Sequence, residues 1–159
     1  MSAQGLLVLA DGTTFSGHPY GATGQCLGQV VFNTAMTGYQ EILTDPANRG
    51  QIMVMTAVHI GVVGLNDEDG QSDRIEVAGL VLRDPARRWS NWRGQRSLEG
   101  DLVAQGVVGL AGVDTRAVTL HLRGRGATRA GIFSGSGLVD AQGRARPVEE
   151  LLAIVQAAP

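Results

Sequence analysis

Short apolar runs of strand length recur along the chain, separated by glycines, prolines and polar clusters. "LLVLADGTTFSG" (6–17) predicts two strands around Asp11-Gly12, a two-residue hairpin signal because both central positions of such a turn take positive φ. "GATGQCLG" (21–28) reads as a loop and "QVVFNTA" (29–35) as a strand. A short helix follows. Thr37 and Gln40 have the Thr-x-x-Gln spacing of a capping box, and Met36, Tyr39 and Leu43 share one face. Asp45-Pro46 ends it, since the residue before proline avoids the helical region.

The run "QIMVMTAV" (51–58) is almost continuously apolar, as expected of a strand buried on both faces. "RIEVAGLVL" (74–82), "VVGLAGV" (107–113) and "ATRAGIF" (127–133) read as further strands. Between them the pattern predicts a helix from Ser97 to Gln105, capped by Ser97 and closed by Gly106. A second helix runs from its cap Asp114 through Leu122, with Arg123 placed to complement the macrodipole. Pro147, with Glu149 and Glu150 in the first turn, starts a final amphipathic helix. Mixed strands and helices without repeats or a linker give one α/β domain over residues 1–159.

Composition narrows the functions available. The net charge is −2 and every basic side chain is arginine, so nucleic acid and anionic membranes are not expected partners. The arginines gather in two groups, Arg83/Arg87/Arg88/Arg93/Arg96 and Arg116/Arg123/Arg125/Arg129, which read as solvated faces or a partner surface. One cysteine allows neither an internal disulfide nor a cysteine-based metal framework. The start "MSAQGLLVLADG" lacks the basic segment and long apolar core of a signal peptide, and no run reaches membrane-spanning length; a cytoplasmic location is expected.

Chemistry is sparse. "GQCLGQ" (24–29) places Cys26 in a Gly-x-Cys-x-Gly setting that resembles a nucleophile on a sharp turn. Such an elbow needs a strand running in and a helix leaving, and the order here is turn, then strand. The default reading is a structural cysteine, with a stand-alone Cys26-dependent hydrolase or a diverged binding module as the alternative. The glycine loop has no Gly-Lys-Ser/Thr ending, and "NDEDG" (66–70) has neither glycine at the sixth position of a calcium loop nor glutamate at the twelfth. His18, His59 and His121 stand beside no acid in a recognisable pairing; His121, between leucines on a helix, reads as a packing residue. Trp89 and Trp92, with neighbouring arginines, could line an interface.

The segment "VFNTAMTGYQEILTDP" (31–46) closely resembles a hallmark stretch of the small, glutamine-hydrolysing subunit of carbamoyl phosphate synthetase. "GATG", "GQIMVMTAVHIG", "GLNDED", "VAGLVLRDPARRWSNWR", "LVAQGVVGLAGVDTRAVTLHLRGRGA" and "GIFSG" keep the family's order and spacing, in a phrasing similar to actinobacterial members. The likeness is to the family's N-terminal domain. It implies a three-layer β/β/α domain packed against the large synthetase subunit. The family's Cys-His-Glu triad belongs to a following amidotransferase domain, and the chain stops at "LLAIVQAAP" before one would begin, so the chain by itself is expected to be inactive. Ammonia would pass to the large subunit, which uses ATP and magnesium to make carbamoyl phosphate for arginine and pyrimidine synthesis; no cofactor or metal is expected in this chain. Thr37, Gly38, Tyr39, Gln40 and Glu41, with Asp114, Thr115 and Arg116, are the candidate interface residues, the bland alternative being fold maintenance. Three features depart from the family. Ala47 stands where a serine helps hold glutamine, Val58 and Val62 replace a proline and an asparagine, and Leu120 occupies a position where arginine is common.

Overall fold

The computed structural model describes residues 4–33, 43–56, 75–83, 98–125 and 128–157. Seven strands form a closed barrel in the order β1 (Gly5–Leu9), β2 (Thr14–Pro19), β6 (Val108–Ala111), β5 (Gly79–Leu82), β4 (Gln51–Met55), β3 (Gly24–Asn33) and β7 (Thr128–Ser134), with β7 returning to β1. β3, β4, β5 and β6 run parallel to one another, while β1, β2 and β7 complete the wall with antiparallel pairings. The α/β class holds, and the β/β/α layering takes a closed form: the two β layers are opposite walls of one barrel, with helices packed on it.

Period-two alternation sorts every strand between two environments. Leu7, Leu9, Ile52, Val54, Val81, Leu110 and Ile132 point inward and form one buried cluster that fills the barrel. The alternate residues face out. Met53, Met55, Leu80 and Leu82 pack outside with Leu102 of α1 (Leu98–Gln105) and with Leu43. Val8 and Phe133 pack outside with Leu151 and Val155 of α3 (Val148–Ala157). The continuous apolar runs read as doubly buried strands are therefore barrel strands, covered within by their neighbours and without by helices.

Two local expectations are corrected. The β1–β2 loop has three residues: Leu9 N donates to Thr13 O and Gly12 N to Leu9 O, each at 2.9 Å, with Gly12 at φ 96°. Such a loop needs left-handed backbone at its last position only, so Asp-Gly suits it as well as the two-residue turn. The second correction is larger. "GATGQCLG" is not a loop throughout, because β3 begins at Gly24 and pairs Gly24 through Val30 with β7. Gly28 is a packing residue: a Cβ there would collide with the carbonyl of Gly50.

Other terminators behave as expected. Gly106, at φ 70°, closes α1, with Val107 N bonded to Leu102 O and Gly106 N to Val103 O, the paired bonds of a Schellman end. The Ser97 cap and the Thr37/Gln40 capping box lie outside the described residues. Among the described residues no helix is long and apolar enough to cross a membrane.

The inner face sets a packing test. A Cβ at Gly79 would lie 2.6 Å from Cys26 Sγ and 2.8 Å from Ile132 Cδ1. Gly79→Ala is expected to cost about 1–3 kcal/mol through overpacking. Cys26→Ala in the same chain should return part of that loss, since it removes the nearer clash. Chemical denaturation of the four proteins measures the cycle; equal stability of Gly79→Ala and the parent would contradict the packing described.

Candidate functional site

The four parallel strands share a direction, so their carboxyl ends, Asn33, Met55, Leu82 and Ala111, lie at one mouth of the barrel. Residues 34–42, 57–74 and 84–97 lie on the chain after β3, β4 and β5 and outside the described residues. They contain Thr37, Gly38, Tyr39, Gln40 and Glu41, with Val58 and Val62, so the placement of these residues is not described. In α/β folds this edge is where ligands and partners are met, because the loops vary while the strands hold still.

α2 (Thr115–Leu122) follows β6 at the same mouth. Val113, Val118 and Leu122 belong to the cluster that fills the barrel, so the helix stoppers this end. Its start matches the sequence reading. Asp114 is the cap, its Oδ1 accepting from Ala117 N at 3.0 Å. Thr115 is buried at 1% exposure, whereas Asp114 and Arg116 are exposed. The candidate triplet thus divides into a cap, an anchor and an outward cation. Ala47 sits in a short 3-10 turn, Pro46–Asn48, exposed, with its N–H on Asp45 Oδ1 at 2.9 Å.

Sequence reasoning missed the polar cluster that fastens α2 to the β1–β2 hairpin. His121 Nε2 lies 2.7 Å from Asp11 Oδ2 and 3.1 Å from Thr13 Oγ1. Arg125 Nε donates to His121 O at 2.7 Å, and its Nη1 lies 3.6 Å from Asp11 Oδ2. The His121 ring also meets Phe15 edge-on, with centroids 6.2 Å apart. His121 is therefore more than the packing residue its neighbours suggested. No local signal could have found this pairing, because its partners are 110 residues apart in sequence.

Partial burial of Asp11 opposes its charge. The Thr13 N–H and the His121 ring outweigh that, holding the carboxyl down at about 2 instead of 3.8. An ionised carboxylate can only accept, so His121 Nε2 carries the proton. Thr13 approaches the same nitrogen. In a hydroxyl–imidazole–carboxylate relay the hydroxyl and the acid hold opposite ring nitrogens. This cluster is a clamp.

Cys26 faces the barrel interior. The residue is partly exposed, but its sulfur points towards Gly79 and Ile132 and packs on the barrel cluster. Burial pushes the thiol up to about 12, against the opposing effect of a backbone hydrogen bond at Ile132. A thiol in that range stays protonated at neutral pH and is a poor nucleophile. Nothing in this geometry favours a Cys26-dependent hydrolase. Among the described residues no group of three His, Cys, Asp or Glu side chains could hold a metal.

The clamp has a pH signature. Because the folded carboxyl of Asp11 titrates below its unfolded value, its stabilisation is complete above about pH 4 and is lost as the pH falls towards 2. Asp11→Asn is expected to lower stability by about 1–2 kcal/mol at neutral pH, the charge-assisted range reduced for a pair still partly open to solvent. The gap to the parent should shrink on acidification through that window. Denaturation at pH 7 and pH 3 checks this, and a gap that stays constant would contradict the clamp.

Comparison with known proteins places this geometry in a family. The family described as "Carbamoyl-phosphate synthase small chain, CPSase domain" matches residues 7–132, from β1 to β7. The chain is 61% identical to the carbamoyl phosphate synthase small chain of Streptomyces coelicolor over 135 residues, which is 85% of this chain and 36% of that protein. It is 55% identical to the same-named protein of Corynebacterium glutamicum over 160 residues, covering 99% of this chain and 39% of the relative. With the small chain of Mycobacterium tuberculosis the identity is 54% over 140 residues, 87% of this chain and 37% of the relative. The chain thus spans less than two-fifths of the length of these curated relatives. On the match across the whole barrel, the chain belongs to the carbamoyl phosphate synthase small-chain family, in its CPSase domain.

Proposed function

We propose that this chain is a non-catalytic docking domain of the small subunit of a glutamine-dependent carbamoyl phosphate synthetase. It binds the large subunit and helps shape the interface across which ammonia is delivered, for arginine and pyrimidine synthesis. The observation that carries the reading is at the barrel mouth. There the family-matched chain presents α2, held from behind by the barrel cluster and by His121 on Asp11, with the exposed Arg116 at its start. Rigid elements make better binding surfaces than loops, because less freedom is lost on association. Chemistry belongs elsewhere in this account: glutamine is hydrolysed by an amidotransferase domain, and ATP and magnesium serve the large subunit. Cys26 is a barrel-filling residue whose neighbours keep it neutral.

Size-exclusion chromatography with light scattering tests the proposal, using this chain and the large subunit of a related synthetase. A complex of one copy of each is expected, with Cys26→Ser binding as well as the parent. The chain alone should hydrolyse no glutamine, and its folded thiol should react slowly with a maleimide at neutral pH. Separate elution of two folded proteins would overturn the docking role. Glutamine hydrolysis that disappears in Cys26→Ser would restore the thiol-enzyme alternative.

A further inference from the structure

Arginines over the described surface fall into two kinds. Arg49, Arg144 and Arg146 are each engaged, with Glu76 at 3.0 Å, Asp140 at 3.1 Å and Glu150 at 3.4 Å. Arg125 is engaged by Asp11 and the carbonyl of His121. Arg116 and Arg123, at the two ends of α2, are exposed and, like Arg83 and Arg129, meet no carboxylate among the described residues; of these four, only Arg116 and Arg123 bracket one helix. Leu120 stands four residues after the first and three before the second, so the three side chains share one helix face. It is 52% exposed.

The opposite face of the helix is fixed. Val118 and Leu122 are buried in the barrel cluster, and His121 is held by Asp11 and Thr13. A lone exposed leucine is ordinary on a protein surface. This one lies between two uncompensated guanidinium groups on an element that cannot turn away. Arginine is among the side chains that concentrate binding energy at interfaces, and pairing with a carboxylate is what these two lack.

We infer that the Arg116–Leu120–Arg123 face of α2 docks on an acidic protein surface with an apolar recess at its centre. The inference rests on the docking reading above and names the surface it uses. A nucleic acid would engage the two cations but leave Leu120 in water, and the chain's net charge of −2 repels such a polyanion. The partner that satisfies all three side chains is a polypeptide. Two charge pairs at the rim make the association steered and salt-sensitive, while the buried leucine sets its lifetime.

Three variants of the full chain test this against the large subunit: Arg116→Glu with Arg123→Glu, Leu120→Ser, and the control Arg144→Glu, whose arginine belongs to an internal ion pair. Circular dichroism melts confirm that each is folded; Leu120→Ser replaces a half-exposed side chain and should leave the melt unchanged. The double reversal is expected to weaken binding at least tenfold and to flatten its salt dependence, Leu120→Ser to speed dissociation several-fold, and Arg144→Glu to change neither. Parental binding by both α2 variants would overturn the inference and leave the docking role standing on another surface. A parent chain that fails to bind defeats the docking role itself. The face is then read directly by NMR titration of the chain with poly-glutamate and, separately, with a single-stranded oligonucleotide. Shifts centred on Arg116, Leu120 and Arg123 with the acidic polypeptide sustain it; shifts elsewhere, or tighter binding of the oligonucleotide there, overturn it.

Discussion

Seven strands closed into a barrel leave an interior that their own side chains fill, so each inward position must match the space its neighbours leave. Here that space is small. Ile52, Val54, Val81 and Ile132 supply the bulk, while Gly28 and Gly79 sit where a Cβ would strike the Gly50 carbonyl or the Cys26 sulfur. This constraint accounts for Gly28 and Gly79, and it explains Cys26, a small apolar filler opposite a glycine. Closure also gives β4, β5 and β6 two buried faces, while β2 stays open to solvent. The helices α1 and α3 then cover the outside, and α2 stoppers the mouth.

What the sequence reveals depends on how local the physics is. The runs around Met53 and Leu80, the Asp114 cap and the Gly106 terminator were all legible, because burial on both faces, a cap and a left-handed end each leave their mark within a few residues. β3 was read five residues short because glycines at 24 and 28 look like loop residues; Gly24 takes a left-handed φ of 131° while pairing with β7, and the steric role of Gly28 is visible only once Gly50 is in place. Barrel closure and the His121–Asp11 clamp share that blindness, since both join residues more than a hundred positions apart or strands out of sequence order. Of the candidate interface residues, Asp114, Thr115 and Arg116 fall where helix-start chemistry put them. Their neighbour Leu120 was noted as a family departure, but its exposure between two arginines needed the structure.

α2 is where fold and proposed function meet. One side of this helix completes the core through Val118 and Leu122, and the other carries two arginines that meet no carboxylate among the described residues. The polar clamp at its end decides how firmly the two roles are coupled.

Hydroxyl-radical footprinting of the chain, alone and with the large subunit, reads the central claim most directly. Leu120, Val103 and Val148 are exposed at 52%, 56% and 41% on three different helices, so each reports on a separate face. Oxidation of Leu120 is expected to fall sharply in the complex while Val103 and Val148 keep their rates. Protection of Val103 or Val148 with Leu120 still fully reactive would contradict it.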